Sequence, residues 1–121
     1  MKYFESMKVA LLTSINTAMP CKVLSYNEGN RTAKIQPLFK AKEVGKEPRN
    51  LPPIEGVPVL FQKYKVDGGS VQTFTPALSI GDIVLVVFCQ RSIDDAGQGK
   101  NVYPGISRMF SIQDAIIVGV I

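Results

Sequence analysis

Few side chains in this sequence could carry chemistry, and one kind is missing altogether. There is no histidine, which removes the commonest general base and metal ligand, and with it every serine or cysteine triad that depends on imidazole. Among the acidic residues, Asp94-Asp95, with Asp82 not far along the chain, is the only local cluster. Neighbouring carboxylates can hold a hard cation such as calcium or magnesium, so a metal-dependent hydrolase would have to use Asp82, Asp94 and Asp95. Two carboxylates in a row on a strand or loop usually point apart, however, and a solvated loop is the preferred reading. Gly97-Gln98-Gly99-Lys100 has some of the look of a phosphate loop. It lacks the spaced first glycine, and Asn101 stands where Ser or Thr belongs, so that reading fails. Cys21 and Cys89 have no CxxC spacing; buried thiols in a reducing compartment are favoured, with a disulfide left open. Tyr3, Tyr26, Tyr64 and Tyr103 could stack on bases if the chain were a single-strand-binding barrel. No catalytic, cofactor or metal site is expected, and the chain is not expected to be an enzyme.

The totals narrow the class. At 121 residues one domain with its own core is expected. Hydrophobic residues at 45% against charged residues at 20% are a globular balance and not a disordered one. Eight prolines and ten glycines among many short apolar runs favour an all-β domain over a helical bundle. The formal charge is +4, spread from Lys2 to Arg108 without a block, which reads as a solubility feature more readily than as a nucleic-acid patch. The opening MKYFESMK is no secretory signal, and no apolar run approaches the roughly 18 residues of a membrane span. A chain made and folded in water, with no integral membrane segment, is the expectation.

These residues need elements to hold them, and the organising one is Ile83 to Cys89, seven apolar residues opened by Gly81-Asp82. Most are β-branched or aromatic and the run is short, so it predicts a strand. It does not alternate with polar residues, so both its faces need cover, one by the domain's core and the other by a helix or a second subunit. Phe4, Met7, Leu11, Ile15 and Ala18 form a helical stripe over 4–19 that Pro20 should stop. That stripe fits either a helix packed on its own domain or one covering the outer face of Ile83–Cys89, including on a neighbouring chain. Strands are expected at 21–26, 32–40, 57–62 with a hairpin partner at 71–75, 83–90 and 115–121. Pro37 points to an edge or bulge, Asp67-Gly68-Gly69 to a turn, and Ser111 to the cap of one helical turn. Residues 43–56 are expected as a proline-rich surface loop and 92–107 as a long excursion.

Five short antiparallel strands and a helix suit an all-β, OB-fold-like five-stranded Greek-key barrel, with a small sandwich as the alternative. The organisation expected is an N-terminal amphipathic helix over 1–19 and a barrel over 20–121, a single domain overall. Leu11, Ile15, Val84, Val86, Phe88, Val118 and Val120 are the candidate subunit-interface residues, chosen because a lone copy has too little to cover them.

The order of elements adds a resemblance. The helix running into Pro20, the pair Lys22–Tyr26 and Arg31–Pro37, Leu51-Pro52 and Val57-Pro58-Val59 make its first half. Phe74 and Pro76 with Gly81-Asp82, Arg91-Ser92-Ile93-Asp94-Asp95, Arg108 with Phe110, and Asp114-Ala115 make its second. In that order they resemble the N-terminal OB-fold domain of the phage membrane-puncturing tail-spike family of contractile tails and prophages. The resemblance implies a homotrimer in the baseplate that joins the tail hub to a cell-puncturing tip, found in the virion and synthesised in the bacterial host cytoplasm. Its partners would be other baseplate or tail-hub proteins, with no cofactor. Family members continue into a β-helical needle, some with an iron-binding histidine apex. This sequence ends at Ile121 without a histidine, which leaves piercing and iron binding open for these residues: they are either a shortened form of a longer chain or a short protein that relies on a separate spike-tip protein, then a further expected partner. The competing function is a single-stranded nucleic-acid-binding OB module.

Overall fold

A computed structural model describes residues 2–41, 45–90, 93, 99 and 110–121 of the chain. In order the elements are α1 (Lys2–Ser14), β1 (Ala18–Asn27), β2 (Thr32–Pro37), the short pair β3 (Lys40–Ala41) and β4 (Arg49–Asn50), β5 (Ile54–Pro58), the hairpin β6 (Gln62–Lys65) and β7 (Val71–Phe74), β8 (Ile83–Phe88), a 3-10 turn Ile112–Asp114, and β9 (Ala115–Val120).

Five of these strands make one antiparallel sheet in the order β5-β2-β1-β8-β9. Its two ends meet through a parallel bridge between Val59 and Ile117, where the Leu60 N–H donates to the Ile117 carbonyl at 3.0 Å. The sheet is thus a curled half-barrel of OB-like type, as expected, and not two sheets of a sandwich. β1 makes the curl. Its first half pairs with β8, from Ala18↔Val87 to Lys22↔Ile83, and its second half with β2, from Cys21↔Pro37 to Asn27↔Thr32, with a register shift between Val23 and Ser25. Such an irregularity bends a strand and increases its twist.

The period of two fixes what lies inside. Cys21 and Val23, Ala33 and Ile35, Ile54 and Val57, Val84, Val86 and Phe88, and Ala115 and Ile117 turn inward and, with Met19 and Val59, form the core. The Gly81-Asp82 turn launches β8 as expected. Gly81 has φ 96°, a left-handed value that favours glycine, and the Asp82 carboxylate accepts from the Ser79 N–H at 2.9 Å. Ser111 caps the 3-10 turn through its hydroxyl, which accepts from the Gln113 N–H at 3.1 Å. Asp67-Gly68 forms the hairpin turn, with φ 50° and 74° and a 2.9 Å bond from the Gly69 N–H to the Val66 carbonyl. Two successive positive φ values give a tight turn at the tip of the loop 66–70 that joins the two arms.

Four expectations change. The helix ends at Ser14 and not at residue 19, and Ala18-Met19-Pro20 open β1. Asn16 turns the chain aside, giving both its backbone N–H (3.2 Å) and its side-chain amide (2.8 Å) to the Phe110 carbonyl. Pro20 is tolerated in β1 because its carbonyl faces β2 and accepts from Leu38 at 3.2 Å. The N–H it lacks would point the same way, past the end of β2. Pro37 closes β2, an interior strand, and the irregularity lies between Ala33 and Ile35 on the β5 side. The hairpin arms are 62–65 and 71–74, because Ile54–Pro58 pairs with β2 instead. Lastly, the expected loop 43–56 contributes β4 and the start of β5, with Ile54 in the core.

Candidate functional site

The residues singled out for chemistry do not converge. Asp82 serves the turn before β8, and Asp94 and Asp95 lie outside the described residues, as do Gly97, Gln98, Lys100, Asn101 and Tyr103. Among the described residues no group of three or more His, Cys, Asp or Glu is placed to hold a metal ion. Cys21 and Cys89 are free thiols. Burial pushes the Cys21 thiol up to about 11. Burial also raises that of Cys89, with the nearby negative charge of Asp114 adding to it. A thiol held neutral is a poor nucleophile, so both behave as packing groups.

The tyrosines are likewise dispersed. Tyr26 packs against the core and donates its hydroxyl to the Pro76 carbonyl at 3.0 Å. Tyr64 sits on the hairpin edge-on to Phe74, with ring centroids 5.6 Å apart, and Tyr3 is exposed on α1. On β2, Lys34 pairs with Glu55 at 3.3 Å, an exposed contact worth little by itself.

One buried polar group went unnoticed in the sequence. Asp114 has no exposed surface; its carboxylate accepts from the Ile93 N–H at 3.3 Å, and its carbonyl accepts from Cys89 at 2.9 Å. It ties the segment after β8 to the start of β9. A capped turn ending in Asp before an apolar run was the available signal.

The candidate interface residues separate into two groups. Val84 and Val86 have no exposed surface and Phe88 only 4%. All three are core residues of their own chain, because they share the parity of Cys21 and Met19 across the β1–β8 pair. Leu11, Ile15, Val118 and Val120 are exposed. The outward residues of β8 are Leu85 and Val87, at 37% and 38% exposure. Across the register they stand opposite Pro20 and Ala18 of β1 and opposite Gly119 and Ile116 of β9. Together these make an apolar strip on the outer face of the sheet. The parity of β1 could have found them: Lys22 opposite Ile83 marks the outward side.

α1 does not cover that strip. Phe4, Met7 and Leu11 remain more than half exposed, and α1 has at most marginal contact with any other described element. Among the described residues these two apolar surfaces have at most marginal contact with each other.

A family model described as the phage protein Gp138 N-terminal domain matches residues 19–119. The chain belongs to that family. The matched span takes in the five barrel strands to within one residue at either end and begins after α1. Membership in the Gp138 N-terminal domain family makes this a phage-protein domain and supports the expected tail- or baseplate-related setting. None of the curated proteins matches the chain.

Proposed function

We propose that this Gp138-family domain is a structural part of a phage or prophage contractile tail. In this reading it is a non-catalytic homotrimer in the baseplate or spike, joining the tail hub to the cell-puncturing tip within the virion. The observation that carries the proposal is the apolar strip of Ala18, Pro20, Leu85, Val87 and Ile116, left open while α1 holds its own stripe away from the barrel. Burying apolar surface is worth about 25 cal/mol per Å², and obligate subunit contacts run to thousands of Å². A helix of 13 residues is marginal alone in water, so an apolar surface laid on α1 would stabilise it. The helix of one copy laid on the strip of the next would form a head-to-tail contact, the kind that closes into a ring. The number three comes from the resemblance to the tail-spike family.

The test is charge on the strip. In Leu85→Asp/Val87→Asp, assembly should be lost while the β-sheet circular dichroism of the barrel is kept, since both side chains point away from the core. An assembly of unchanged mass in this variant would refute the proposal. Failure of the unaltered chain to shift a single-stranded oligonucleotide at low salt separates it from a nucleic-acid-binding OB module, whose affinity would be strongest there.

A further inference from the structure

The β6–β7 hairpin stands apart from everything above. All eight of its strand residues are exposed, and beyond its own two strands it has at most marginal contact with any described element. A lone two-stranded hairpin is marginally stable in water. This one has a well-formed turn and a ring contact between Tyr64 and Phe74, which hold its shape without covering it.

Its two edges are not alike. β6 reads Gln-Lys-Tyr-Lys and β7 reads Val-Gln-Thr-Phe. Lysines on an edge strand block pairing with another chain, and β6 carries two. β7 has no charge, no proline and no glycine, and three of its four residues favour strands. Among the described residues its outward backbone groups bond to nothing. Only the β7 edge is left undefended.

The faces differ as well. The register puts Gln62, Tyr64, Gln72 and Phe74 on one face and Lys63, Lys65, Val71 and Thr73 on the other. A shallow cleft beside Tyr64 and Phe74 continues round the turn, lined by Gln62, Tyr64, Lys65, Val66, Asp67 and Phe74. A strand added to β7 would lay alternate side chains against an aromatic face and a doubly basic one. We infer that the β7 edge is a docking site for an extended segment of another protein in which apolar and acidic residues alternate, bound by strand addition. On one face the apolar residues meet Phe74, with Tyr64 one strand beyond; on the other the acidic ones lie next to Val71 and Thr73, across which the long side chains of Lys63 and Lys65 extend from β6. The inference does not rest on the trimer, since neither the outer strip nor α1 takes part.

The test uses the full chain and two labelled ten-residue peptides, one alternating glutamate with valine and one alternating lysine with valine. The acidic peptide is expected to bind, more weakly as salt rises, and to slow amide exchange at residues 71–74. Lys63→Glu/Lys65→Glu, at exposed positions that leave the core alone, should lower that affinity at least about tenfold and favour the basic peptide. Phe74→Ala should weaken binding of both peptides. No acidic-peptide binding up to millimolar concentration, equal affinity for the two peptides, or protection confined to residues outside 71–74 would each overturn the inference. So would loss in the Lys63→Glu/Lys65→Glu variant of binding to anionic vesicles or to a single-stranded oligonucleotide when the acidic peptide does not bind.

Discussion

Along β8, neighbouring side chains have opposite duties. Val86 is sealed in the core while Leu85 and Val87 on either side of it face water. The seven-residue apolar run made the strand legible and showed that both faces were apolar. It did not show parity, which depends on the register with β1, a contact between residues some sixty positions apart in the chain. Core and strip therefore answer differently to substitution. Ile117→Ala, at a fully buried position, should cost about 2–5 kcal/mol in urea unfolding. The Leu85→Asp/Val87→Asp variant should instead keep a cooperative transition and lose only its dependence on protein concentration. The thiols give a pH test. The Cys21 thiol ionises near 11 in the fold against 9.0 when free, so the folded state holds its proton more tightly than the unfolded state between those values. Its contribution to stability is complete below about pH 9 and is lost as pH rises toward 11. Cys21→Ala should flatten that part of the unfolding profile. A decline of the same size in Cys21→Ala and in the parent would remove Cys21 as its source.

At the scale of elements, α1 and the hairpin are the parts that depend on something else. The apolar stripe of α1 was legible, and its end was misjudged because Pro20 reads as a helix stop and works here as a strand residue. What turns the chain out of the helix is Asn16 bonded to Phe110, 94 residues away, a contact with no local signature. A 13-residue helix held by a neighbour should melt when the neighbour leaves. Far-ultraviolet circular dichroism should show helix in the assembled chain and lose it in Leu85→Asp/Val87→Asp, with the strand signal unchanged. Helix retained in a dissociated variant would mean that α1 is held by its own chain. In the hairpin, Gly68 at φ 74° is the position where a β-branched side chain is most strained, at about 1–2 kcal/mol. Gly68→Val should therefore speed amide exchange in 62–65 and 71–74 and leave the barrel strands as they were. Equal loosening of β1 and β8 would show that the hairpin and barrel unfold as one.

Taken whole, the molecule is a small barrel with two exposed elements, α1 and the β6–β7 hairpin, that have at most marginal contact with the described barrel strands. The five-strand count and the OB-like class were legible because the strands are short apolar or alternating runs bounded by turn residues. The closing contact of Val59 with Ile117 was not, since strand order across a closure leaves no mark in a single sequence. The central claim is that the exposed strip and α1 are the two halves of one contact, repeated around a threefold axis. Sedimentation equilibrium of the 121-residue chain at micromolar concentration measures this most directly. The account predicts a single species of three times 13.2 kDa; a stable species of one times that mass, unchanged as concentration rises, would contradict it.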